Sequence, residues 1–135
     1  MNWAEFGAAV AASVLVAAHG VVGHGWHRAQ LRHVSFKPTS IVGDADTAHR
    51  FFQVTWHIVT VFFLSTSAAL YAMAFGAFTS AVVLRFIAAV YLLIICVCLA
   101  YFARRPRALL APIPGIAAVS MVAIVVLAWV ASRCS

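Results

Sequence analysis

Acidic residues are nearly absent. The 135 residues include three carboxylates, Glu5, Asp44 and Asp46, and charged residues of both signs make up only 9% of the chain. A water-soluble domain carries about a quarter charged residues. So little polar surface cannot coat a fold in water, which excludes an ordinary soluble domain. Cysteine is also scarce: Cys96, Cys98 and Cys134 form no C-x-x-C motif, which argues against a disulfide framework and against a dithiol redox centre. On a helix the Cys96–Cys98 spacing turns the two thiols to different faces.

What is present is apolar. Hydrophobic residues make up 65% of the chain and the mean hydropathy is +1.03. The sequence predicts four helices, at about 3–22, 47–75, 81–103 and 112–131. Each is of the order of the ~20 residues needed to span a bilayer core. The expected fold is therefore all-α: a single integral membrane domain over 1–135, folded as a four-helix transmembrane bundle. Met1-Asn2-Trp3-Ala4-Glu5 lacks a basic n-region, so the first span reads as a retained helix rather than a cleaved signal. Gly20, Gly23 and Gly25 read as its break, and 23–46 as a long basic loop in which a short surface helix can form. Asp44 or Asp46 is placed to cap the second helix. Pro112 and Pro114 open the fourth, where an early proline is tolerated.

The basic residues give the orientation. Arg28, Arg32, Lys37 and Arg50 cluster before and at the start of the second span, and Arg104, Arg105 and Arg107 follow the third. Both clusters fall on one side of a four-span chain, so the positive-inside tendency puts both basic loops in the cytoplasm and both termini outside it. The formal net charge of +6 has this origin. No aromatic residues interleave with a basic groove, so no nucleic acid is expected as a partner. Gly7, Ala8, Ala11, Ala12 and Ser13 offer small contacts for helix packing. They suit a bundle, a homo-oligomer or a partner membrane subunit equally.

The histidines are distributed unevenly. His19, His24, His27, His33, His49 and His57 all lie between the end of the first span and the first half of the second. Imidazole is a ligand for Zn, Cu and Fe. His24 and His27 form an H-x-x-H pair, and Asp46 with His49 a D-x-x-H pair at helical spacing. These four are the candidate ligands for a transition metal near the cytoplasmic face. A b-type haem needs two histidines on different helices, and His19 with His57 is the pair expected to serve it. The second helix also carries a polar stripe of His49, Gln53, His57, Thr60, Ser67 and Tyr71, with steps of three, four or seven that share a face. Such a stripe is expected to face the bundle interior or a protein interface rather than lipid. Arg85, early in the third span, is expected to pair with Glu5 at the outer end of the first.

The segment Arg50-Phe51-Phe52-Gln53-Val54-Thr55-Trp56-His57-Ile58-Val59-Thr60 resembles a pattern in small uncharacterised four-span bacterial membrane proteins, in which an Arg precedes a Trp-His pair followed by Ser or Thr. The resemblance covers mainly the second helix. It implies the same four-span layout, a bacterial inner membrane, and Arg50, Trp56 and His57 as singled-out positions; it implies no activity. Three functions stay open from the residues: a His/Asp site for a transition metal or haem, a non-catalytic accessory subunit whose stripe mates with a partner, and a proton or ion conductor. No nucleophile is placed beside a base by spacing alone, so enzymatic activity has no support from the sequence.

Overall fold

A computed structural model describes residues 1–31, 44–78, 80–102 and 112–134, with the side chains of 26, 27, 30, 31, 101, 102 and 112–114 excepted. The described residues are helical almost throughout: α1 (Trp3–Val16), a π-helical segment (Ala17–Gly23), α2 (His24–Leu31), α3 (Ala45–Ala74), α4 (Ala81–Phe102) and α5 (Pro112–Cys134). Four stretches are long and apolar enough to cross a membrane: Trp3–Gly23, Ala45–Ala74, Ala81–Ala100 and Gly115–Cys134. These are the four expected spans, with ends moved by a few residues.

The helix ends follow from local chemistry. Asn2 caps α1, its Oδ1 accepting from the amides of Ala4 at 3.0 Å and Glu5 at 3.4 Å. Asp44, rather than Asp46, caps α3 by accepting from the Thr47 amide at 2.8 Å, which satisfies one of the donors a helix start leaves open. The α3 C-terminus closes on Gly76, whose φ of +80° is costly for a residue with a Cβ. The Gly76 amide donates to Met73 O and the Ala77 amide to Ala72 O, both at 2.9 Å. This paired closure ends the helix in an uncharged turn.

Glycine does not break the first helix as the sequence suggested. The chain passes Gly20 and Gly23 in a π-helical segment and continues directly into α2. The expected loop at 23–46 therefore begins with a helix over His24–Leu31; residues 32–43, including His33, lie outside the described residues.

Packing places α1 against both α3 and α5, and α4 against α5. The α1 core face is Ala8, Ala9 and Ala12, all fully buried, with Leu15. Small side chains there let the neighbouring helices approach; Gly7 sits so close that a Cβ would meet Leu127 Cδ1 at 3.1 Å. On α4 the buried positions are Leu84, Ile87, Ala88 and Tyr91, a single stripe at helical spacing. Tyr91 closes the ring of helices by packing on Phe62 and Phe63 of α3, with ring centroids 6.0 Å apart in each case. Val82, Phe86, Leu93, Val119 and Val126 face outward, as lipid-facing side chains do.

Candidate functional site

α1 and α3 run antiparallel, since the Asn2 amide donates to Ala74 O at 3.2 Å. The seam between them carries the polar groups in matched pairs. Nearest the termini, Ser13 Oγ lies 2.8 Å from Ser67 Oγ and 3.4 Å from the Tyr71 hydroxyl. Further along, His19 Nδ1 lies 3.0 Å from Thr60 Oγ1. At the far end the rings of His24 and His57 sit 5.2 Å apart, tilted by 37°.

The π-helical segment makes this end. Its wider turn sets His19 against α3, with its ring stacked on Trp56 at 4.0 Å and 12° and its edge toward Phe63 at 5.4 Å. Single π turns inside α-helices are frequent at functional sites. The glycines make room for the stack: a Cβ on Gly20 would meet Thr60 Cγ2 at 2.8 Å, and one on Gly23 would meet Trp56 Cζ2 at 2.8 Å. They serve close approach, not helix breaking. The sequence held that signal, because Gly20 and Gly23 are three residues apart and His19 precedes them directly. His24 follows at once, half-buried, and among the described residues its Nδ1 is buried without a hydrogen-bond partner.

The predicted site residues divide. His24 and His57 come together, and Trp56 and Thr60 join His19. The haem candidates His19 and His57 lie on the same seam but do not pair: His19 belongs to Trp56 and Thr60, His57 to His24. Asp46 accepts from Arg50 Nε at 2.8 Å on the exposed side of α3. His49 is half-buried on the same helix. His27 follows His24 by three residues on α2, and its side chain lies outside the described residues. Among the described residues no three His, Cys, Asp or Glu side chains converge on one point.

Two expectations need correction. The stripe on α3 is only partly inward. Ser67 is buried and His49, Thr60 and Tyr71 half-buried, but Gln53 and His57 are exposed. The reason is length: thirty residues extend about 45 Å at 1.5 Å each, against about 30 Å of hydrocarbon. About ten residues must stand beyond the apolar layer; counted from Ala45 they take in Gln53 but stop short of His57, whose exposed ring lies beside that of His24 instead. The Glu5–Arg85 pair also does not form. Glu5 faces the core at 1% exposure with neither carboxylate oxygen bonded among the described residues, while Arg85 is exposed on α4. α4 packs on α5 rather than on α1, so the two side chains point to different surroundings.

No protein-family model, no curated protein and no solved structure matches this chain. The likeness of residues 50–60 to four-span bacterial proteins therefore rests on the motif alone. In the fold that motif has a definite place: Trp56 stacks on His19 and His57 lies beside His24. Arg50 lies two turns away, on Asp46.

Proposed function

We propose that this is a membrane protein that binds a transition metal through His24 and His57. The supporting observation is the pairing of these two imidazoles from separate helical elements, with a His24 nitrogen that has no hydrogen-bond partner among the described residues. Two nitrogens each about 2.0–2.1 Å from one ion are compatible with rings at the observed separation. His27, whose side chain lies outside the described residues, keeps the place among the ligands that the H-x-x-H spacing gave it in the sequence, and water completes the shell. His19 is a positioning residue: its stack on Trp56 and its bond to Thr60 hold the chain on either side of the two ligands, as supporting groups around metal sites do. The ligand set thus differs from that read in the sequence, with His57 in place of His49 and Asp46. The positive-inside charge pattern supports a site near the cytoplasmic face with both termini outside, and the likeness of residues 50–60 to four-span bacterial proteins supports a bacterial inner membrane.

The test is metal analysis of the purified full chain after exposure to Zn, Cu or Fe salts. One ion per chain is expected, falling below a tenth of that occupancy in His24→Ala and in His57→Ala. Unchanged occupancy in both variants overturns the reading.

Proton or ion conduction is a second reading, supported by the polar seam that runs from Ser13, Ser67 and Tyr71 to His19 and Thr60. Between these clusters lie Leu15, Val16 and Phe63, and six residues of α1 span about 9 Å. Conduction then requires water across that apolar stretch. A proton-flux assay in liposomes decides it: flux through the parent protein that falls in Ser67→Ala supports conduction, and no flux excludes it.

A further inference from the structure

The opposite end of the bundle, where α1 begins and α3 and α5 end, holds a separate site. Glu5 is 1% exposed, yet among the described residues neither Oε1 nor Oε2 has a hydrogen-bond partner. It lines a cavity of about 400 Å³ together with Met1, Asn2, Met73, Phe75 and Cys134, which is the size of a small-molecule pocket. A buried carboxylate without a partner is expensive, and such groups are normally paired.

No group among the described residues supplies that partner. Asn2 Oδ1 is engaged as the cap of α1. The Tyr71 hydroxyl sits with Ser13. Arg133 stands over the Trp129 ring at 5.4 Å, and Arg85 is exposed on α4. The Met1 amino group lines the same cavity but forms no hydrogen bond with Glu5. A single carboxylate does not provide the six or more oxygens that a hard divalent cation takes. Of the apolar lining residues Met73 is buried, while Phe75 is largely exposed; its ring suits an apolar body, and an aromatic ring attracts an ammonium group.

We propose that this cavity binds an organic ammonium ion with an apolar body, with Glu5 as its counter-charge and Phe75 beside the cationic head. The site is independent of the histidine pair, which lies at the other end of α1.

The probe is benzyltrimethylammonium, whose charge is fixed, compared with neopentylbenzene, its uncharged carbon isostere. Binding to the full chain in detergent micelles is measured by calorimetry or equilibrium dialysis. The cation is expected to bind at least tenfold tighter than the isostere. Glu5→Gln, which keeps the side-chain volume, should abolish that preference, Phe75→Ala should weaken cation binding severalfold, and His24→Ala should leave it unchanged. The isostere comparison on the parent protein and Phe75→Ala keep the test decisive should Glu5→Gln fold poorly. Absence of binding to the parent protein, as when the Met1 amino group already serves Glu5, overturns the proposal. So does equal affinity for cation and isostere, or a preference that survives in Glu5→Gln.

Discussion

Replacing Gly23 by alanine tests whether the π-helical segment is held open by the His19–Trp56 stack. A Cβ at position 23 would lie 2.8 Å from Trp56 Cζ2 and 3.1 Å from the carbonyl oxygen of Ala18. The first contact is with a ring already stacked on His19 at 4.0 Å, and the second is with backbone, so neither yields cheaply. Overpacking of this kind costs about 1–3 kcal/mol. Against it stands the helical preference for alanine over glycine, about 1 kcal/mol. Gly25 provides the internal reference, since a Cβ there meets nothing within 4 Å, so Gly25→Ala collects the preference without the clash. Gly23→Ala should therefore unfold about 1–3 kcal/mol more easily than Gly25→Ala, measured as SDS-driven unfolding in mixed micelles followed by far-UV circular dichroism. Equal stability of the two variants, or a more stable Gly23→Ala, refutes the packing argument.

Three further outcomes follow. The Ser13–Ser67 contact should show a coupling of about 0.6 kcal/mol in a double-alanine cycle, and zero coupling would mean that the seam is held by apolar packing alone. The Asp44 carboxyl is held below its usual range by the Thr47 amide. A carboxyl depressed in the folded state stabilises fully above the unfolded Asp value, about 3.9, and loses that contribution as pH falls through its lower folded value. Asp44→Asn should therefore remove that part of the acid dependence from an unfolding-against-pH curve. Asp46→Ala breaks a solvent-exposed ion pair with Arg50 and should cost less than about 0.5 kcal/mol; it should also leave metal occupancy unchanged, whereas lost metal would restore Asp46 as a ligand.

The four apolar helices and the two ends of α3 were legible because they depend on apolar run length, on Asp44 and on the Gly76 turn, all of which are local; the end of the first helix was not. The gathering of histidines at one end of the first two spans was legible as a concentration but not as a pairing. Spacing along one helix cannot register that helix against another, so His57 was matched with His19 and His49 with His24. The register instead follows from Gly20 and Gly23, whose bare backbones admit Thr60 and Trp56. Glycine reads as a breaker in sequence, and its use for close approach shows only when the facing side chains are known. Glu5 was misread for a related reason. Its matching charge, Arg85, sits at a similar depth, but helix order around the bundle, not depth, decides which side chains meet.

The central claim is that His24 and His57 together hold a transition metal. X-ray absorption fine structure of the zinc-loaded full chain tests it most directly. The account predicts a nitrogen and oxygen shell at about 2.0–2.1 Å with outer-shell scattering from at least two imidazoles. His24→Ala and His57→Ala should each lose one imidazole together with most of the bound zinc. A sulfur shell, or stoichiometric zinc with an unchanged spectrum in the double variant, would contradict it.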